Sequence, residues 1–329
     1  MKSTCILFLS GMLSRQILPY FLSTFFFLLG CMFTVNIFSQ RPNEEIELRF
    51  TPHEGTLVVI ILSALNNIER RNAIRQTWTK FVSGSDEVKY FFVLGTRHLK
   101  TQTAAVQREI SLHNDIILLP QIVEAYESLT SKLLASIVYV TNFHNFRYLL
   151  KCDDDSFVRV DKIFAELHDN VDLRLKSDYL YWGFFDGRAH VKTQGKWKED
   201  KWILCDRYLP YALGGGYILS QKLVKFIADN HQHLVRFRSE DISVGTWLAP
   251  LNVTRVHDPR FDTEYMSRGC SNSYLVTHKK SPAEMESLFE NIKRTGVLCS
   301  KEVRLRKSYT YNWDVLPSQC CVRNNSFVP

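Results

Sequence analysis

Apolar residues in this chain form one long uncharged run, followed by short runs separated by helical spacings. Residues 16–40 carry no charge. After a polar interval, residues 56–63 (TLVVIILS) are apolar over the length of a strand, as expected for a strand covered on both faces. Residues 66–81 have helical spacing, with Ile74 and Trp78 four apart. Residues 88–95 predict a second strand, 99–113 a helix, 115–119 a third strand and 124–142 a helix. Residues 147–150 predict a fourth strand that runs into Asp153, Asp154 and Asp155. This alternation predicts an α/β fold with a mainly parallel, Rossmann-like sheet. In such sheets ligands bind beyond the carboxyl ends of the strands, where strand order switches, and the acidic triplet stands at such an end. The second half, with short strands among glycine and aromatic clusters, reads as a continuation of the same domain.

The uncharged run is long enough to cross a bilayer as a helix, which takes about 20 residues. Lys2 and Arg15 precede it, and Glu44, Glu45 and Glu47 follow it. The positive-inside tendency then predicts a cytosolic tail over 1–15, a membrane anchor over 16–40, a short lumenal stem over 41–55 and a lumenal domain over 56–329. A cleaved signal peptide is the competing reading, but its apolar region is shorter and ends in small residues, unlike Val35-Asn36-Ile37. A lumenal setting favours disulfides among Cys152, Cys205, Cys270, Cys299, Cys320 and Cys321, in pairings that spacing does not fix. Asn252 and Asn324 head N-glycosylation sequons. The chain has 329 residues, 45% hydrophobic, with a net charge of +7. That excess is scattered, without the dense basic stripe and interleaved aromatics of a nucleic-acid binder.

Three adjacent carboxylates repel one another unless a cation compensates, and hard oxygen ligands suit magnesium or manganese. On an extended segment Asp153 and Asp155 share one side and Asp154 takes the other. The plainer reading is a solvated loop in which Asp155 or Ser156 caps the next helix. An EF-hand is excluded by Phe157 and Val158, a Walker loop by Trp197 after Gly195-Lys196, and a dinucleotide fingerprint by the missing third glycine after Gly214-Gly215-Gly216.

Five ordered segments make the sequence resemble glycosyltransferase family 31, the inverting β1,3-glycosyltransferases. They are residues 70–78 (RRNAIRQTW), 124–132 (EAYESLTSK), 151–158 (KCDDDSFV), 208–217 (YLPYALGGGY) and 240–245 (EDISVG). Residues 181–185, 204–206, 257–265 and 317–321 look like the branch that adds the second galactose of the proteoglycan linker. The resemblance implies a GT-A fold, UDP-galactose as donor, manganese (or magnesium) as cofactor, and a Golgi membrane enzyme. The implied acceptor is galactosyl-β1,4-xylose on a proteoglycan core protein, in glycosaminoglycan synthesis. It implies Asp241 as the base, with Glu240 as alternative base or acceptor anchor at a helix start where Ser239 would cap. It implies Asp155 and His278 as metal ligands, His257 being the runner-up. Asp153, Asp154, Lys151, Arg71 and Arg75 would serve the donor. Trp182, Tyr211, Gly214, Gly215 and Gly216 would shape the acceptor side. Cys152 and Ser128 stand where alanine and asparagine are expected. Two rival readings are a β1,3-N-acetylglucosaminyl- or galactosyltransferase with another acceptor, and a non-catalytic lumenal binder.

Overall fold

A computed structural model describes residues 23, 25–32, 55–97, 104–170 and 177–323. Contacts divide the chain into a unit up to Thr51 and a body from Pro52 onward. In the first unit, residues 25–32 are helical and their Phe25, Phe26, Phe27, Leu28 and Leu29 side chains are exposed. Most of the predicted 16–40 span lies outside the described residues. Among those described, no helix is long and apolar enough to cross a membrane.

The body is built on a seven-stranded sheet of order β3-β2-β1-β4-β7-β6-β8. Its strands are β1 (Gly55–Leu62), β2 (Val88–Gly95), β3 (Ile116–Leu119), β4 (Phe146–Asp153), β6 (Leu180–Asp186), β7 (Tyr211–Ser220) and β8 (Thr254–His257). β7 alone runs against the others, so the sheet is mixed but mainly parallel. All eight residues of β1 are buried, as its unbroken apolar run predicts. Each large aliphatic side chain there contributes about 1.5–3 kcal/mol by leaving water. Helices α1 (Ile68–Gln76), α2 (Ala104–His113), α3 (Leu129–Phe143), α4 (Val160–Asp169), α5 (Gln221–Asp229), α6 (Glu240–Trp247) and α7 (Pro282–Thr295) complete the body.

The predicted helix over 66–81 breaks at Thr77, whose hydroxyl donates to the Ala73 carbonyl, and resumes as a 3₁₀ turn at Trp78–Val82. Two small sheets follow: β5 (Phe157–Val158), β11 (Val276–Thr277) and β9 (Phe261–Asp262) in one, and β10 (Gly269–Cys270) with β12 (Val303–Arg304) in the other. Disulfides join Cys270 to Cys299 and Cys320 to its neighbour Cys321, while Cys152 stays buried and unpaired and Cys205 exposed and unpaired.

Candidate active site

β1 and β4 are hydrogen-bonded neighbours whose chain connections leave in opposite directions across the sheet, so the switch in strand order falls between them. Leu62 pairs with Asp153 at the last rung. The next residue, Ser63, donates from its hydroxyl to Asp154 Oδ2 at 2.8 Å, and Asn67 Nδ2 donates to the same oxygen at 2.8 Å. Arg70 Nη1 lies 3.3 Å from Asp154 Oδ1 and 3.4 Å from Asp155 Oδ2. Asp154 is therefore tied to the β1–α1 corner. Burial, outweighing these bonds, raises its pKa.

Asp153 and Asp155 face the other way, towards His278. His278 Nε2 is 2.8 Å from Asp155 Oδ1 and 3.4 Å from Asp153 Oδ2. Neither His278 nitrogen, nor Asp155 Oδ1, has an aligned hydrogen-bond partner although all are buried. Ligand atoms of the three residues lie within 4.8 Å of one another. Burial opposes a charge on His278, but the two aspartates outweigh it and push the imidazole up to about 9. A cluster of two carboxylates and an imidazole, with buried polar atoms left unaligned, fits a divalent cation.

Backbone bonds hold this arrangement. His278 N donates to the Asp262 carbonyl at 3.0 Å, and Lys280 N donates to the Asp155 carbonyl at 2.8 Å. Between them Lys279 adopts a left-handed conformation, φ 61°. α7 then starts with a full capping box, in which Ser281 Oγ accepts from Glu284 N and Glu284 accepts from Ser281 N. The capping reading of the triplet does not survive: α4 begins only at Val160, and Ser156 Oγ donates to the Gly215 carbonyl at 2.6 Å.

β7 closes the other side. Because it runs antiparallel to β4, Gly216 pairs with Cys152 and the glycine run lies beside the triplet. A Cβ on Gly214 would stand 2.4 Å from Glu240 Oε1, and one on Gly215 would stand 2.7 Å from the His278 ring. Gly214 and Gly215 thus admit the protein's own side chains. Lys151, fully buried, donates to Asp153 Oδ1 at 2.8 Å, Glu240 Oε1 at 2.6 Å and the Gly214 carbonyl at 2.6 Å. α6 starts at Glu240, so the expected helix start is correct, but Ser239 makes no side-chain cap. Asp241 Oδ2 accepts from Gly214 N at 3.0 Å and Oδ1 from Ile242 N at 2.8 Å. Burial and the adjacent Glu240 charge push Asp241 up to about 8, against the pull of Lys151.

The profile described as Galactosyltransferase matches residues 69–259. The chain belongs to the galactosyltransferase family. It is 48% identical over 270 residues to mouse (Mus musculus) beta-1,3-galactosyltransferase 6, covering 81% of this chain and 82% of that one. It is 32% identical over 276 residues to hydroxyproline O-galactosyltransferase GALT2 of Arabidopsis thaliana, covering 79% of this chain and 39% of that longer protein. Among solved structures, the WbbM bifunctional glycosyltransferase aligns with 14% identity and a TM-score of 0.38, over 64% of this chain and 39% of that one. At that score the likeness carries no weight. The galactosyltransferase match takes in the triplet, the glycine run and Asp241. It ends before His278, which β11 carries into the site from outside the matched stretch.

Within this galactosyltransferase several expected site residues stand elsewhere. Arg71 is fully buried and holds Glu109 through Nε at 2.7 Å and Nη2 at 2.8 Å. Arg75 holds Asp115 with two bonds of 2.7 and 2.8 Å, and Glu109 at 2.8 Å. Both arginines clamp α1 to α2 and the start of β3, and the half-exposed Arg70 is the one that reaches the triplet. His257 accepts from Phe185 N at 3.0 Å and its Nε2 faces the Tyr309 carbonyl at 3.0 Å. Burial lowers its pKa to about 4, and it takes no part in the cluster with Asp153 and Asp155. Trp182 is a core residue bonded to Asp258, and the buried Tyr211 packs against Gly245. Asn252 is exposed, while Asn324 lies outside the described residues.

The sequence reading missed Ser63, Asn67, Arg70 and Tyr126. Burial, with the charges of Glu240, Asp241 and Asp153, pushes Tyr126 up to about 12, so its hydroxyl lies within the field of the site. Arg70 and Tyr126 sat inside the quoted segments, but nothing in their spacing marked them.

Proposed function

We propose that this chain is an inverting, metal-dependent UDP-galactose β1,3-galactosyltransferase of the GT-A type, anchored in the Golgi membrane with its body in the lumen. Its acceptor is the galactosyl-β1,4-xylose of the proteoglycan linker. The observation that carries the reading is the meeting of two groups across the β7 glycines: the Asp153, Asp155 and His278 cluster, and the raised-pKa carboxylate of Asp241. Likeness to beta-1,3-galactosyltransferase 6 supports the donor, linkage and acceptor.

Asp153, Asp155 and His278 would hold the divalent ion, which when bound neutralises charge developing on the leaving diphosphate. Ser63, Asn67 and Arg70 fix Asp154, and with it the turn that carries Asp155. Asp241 takes the proton of the acceptor 3-hydroxyl on a carboxylate lone pair that its two backbone donors leave open. The acceptor oxygen forms its bond to the anomeric carbon as the bond to diphosphate breaks on the opposite face, which inverts the centre. Glu240 is the weaker base candidate, because its carboxylate is ion-paired with the buried Lys151 ammonium at 2.6 Å, whereas the donors on Asp241 are neutral backbone amides. Lys151 holds Asp153 ionised against its burial and orients both Asp153 and Glu240.

The purified lumenal body, given UDP-galactose and galactosyl-β1,4-xyloside, should form a β1,3-linked trisaccharide with manganese and none with chelator. Preference for lactose, N-acetylglucosamine or another UDP-sugar would overturn the acceptor or donor assignment.

A further inference from the structure

One cleft among the described residues lies away from the triplet. It encloses about 580 Å³ along the edge strand β8, and Pro210, Val253, Thr254, Arg255 and Trp313 line it. That volume lies in the range of small-molecule sites. Trp313 is 42% exposed and is held rigidly. One face stacks on Tyr311, centroids 3.8 Å apart at 24°, and its edge meets Phe185 at 5.4 Å. The turn beneath it is pinned as well: Asn312 N donates to the Cys320 carbonyl at 2.8 Å, and Asn312 Oδ1 accepts from Asp314 N at 3.0 Å. Across the cleft, Arg255 Nη2 is anchored on the Leu248 carbonyl at 3.1 Å.

The cleft adjoins the site through Pro210. The Pro210 carbonyl and Tyr211 Cβ press on Gly245, where a Cβ would stand 2.9 and 2.5 Å from them. Gly245 is one helical turn beyond Asp241 on α6. Along the chain, Pro210 is four residues before Gly214, whose N–H holds Asp241, a span of about 13 Å in a strand. Through Pro210 and Gly245 the cleft is thus connected to the helix that carries Asp241. A fixed indole beside a guanidinium and a hydroxyl, with no carboxylate on the wall, suits a sugar ring, whose C–H face packs on aromatic carbon while its hydroxyls meet donors.

We propose that this cleft is an acceptor subsite, in which the sugar carrying the reacting galactose stacks on Trp313. The assignment rests on the transferase reading above. Asn252 is exposed next to Val253 and Thr254, so an N-linked glycan of the chain itself is a second source of the same chemistry.

The test compares the full chain with its Trp313→Ala and Trp313→Phe variants, each with and without Asn252→Gln, using UDP-galactose and galactosyl-β1,4-xyloside. Trp313→Ala should raise KM for the disaccharide about 3- to 10-fold, the range stacking supplies, with the UDP-galactose KM unchanged. Trp313→Phe should restore most of it, and N252Q should leave the effect in place. An unchanged disaccharide KM overturns the subsite. So does a rise in both KM values that phenylalanine does not rescue, which marks a structural role. An effect that vanishes in N252Q assigns the cleft to the chain's own glycan and also overturns it. Should the transferase reading itself be wrong, the unsubstituted protein would transfer to no acceptor.

Discussion

Lys151→Met tests the electrostatics of the site most directly. Methionine keeps most of the length of the side chain and removes its charge, while Lys151 is 1% exposed and bonded to two carboxylates and a carbonyl. Removing one partner of a buried ion pair costs about 3–5 kcal/mol, because the remaining charge stays buried without compensation. For a domain of this size, about 2 °C of melting temperature goes with each kcal/mol, so the melting temperature should fall by about 6–10 °C at neutral pH. Neutralising the orphaned partner in Lys151→Met/Glu240→Gln should recover part of the loss, since one of the two stranded carboxylates is gone. Catalysis should move too. The lysine charge lowers the pKa of Asp241, so its loss shifts the acid limb of the pH–rate profile upwards. Differential scanning fluorimetry with pH-dependent kinetics on the same samples reads both. A single variant melting within about 2 °C of the parent, or a double variant with additive losses, would refute the reasoning.

Asp241→Asn should reduce kcat by at least about 100-fold, the usual worth of a positioned base. In the parent, kcat/KM should climb tenfold per pH unit and level off above about 8, because only the ionised base acts; a limb at pH 4 would contradict this. The His278 pKa is raised from 6.5 to about 9, so in metal-free protein its stabilising contribution is complete below pH 6.5 and lost as pH rises through about 9. Manganese titrated at pH 7.5 should accordingly release about one proton per ion by calorimetry in two buffers, and His278→Asn should abolish the release. Gly215→Ala puts a methyl 2.7 Å from the His278 ring and should weaken manganese binding at least tenfold with little change in fold by circular dichroism.

The first half of the fold was legible because β1 is an unbroken apolar run buried along its whole length and β2, β3 and β4 are mostly apolar over strand lengths. The division of the triplet agrees with the expected one, although β4 ends at Asp153 and a turn through Asp154 and Asp155 produces it. Arg71 and Arg75 were not legible. Helical spacing correctly put them together, but their partners Glu109 and Asp115 come from later elements, and local sequence does not say which face of a charged helix turns inward. The same holds for Gly214 and Gly215, which answer to Glu240 and His278 from other segments. Choosing between His257 and His278 needed the small sheet, because the loops before β11 follow no period.

The placement of His278 on β11 matters for how the protein is made. Ser63, Asp155, Gly215, Asp241 and His278 leave the ribosome in that order, and the cation cradle lacks its third donor until the last has emerged. A chain cut short after Asp241 would carry the acidic triplet, the base and most of the large sheet, yet hold no complete metal centre. A premature stop between the codons for Asp241 and His278 should therefore give a protein lacking the proposed metal-dependent activity, however much of its sheet it retains.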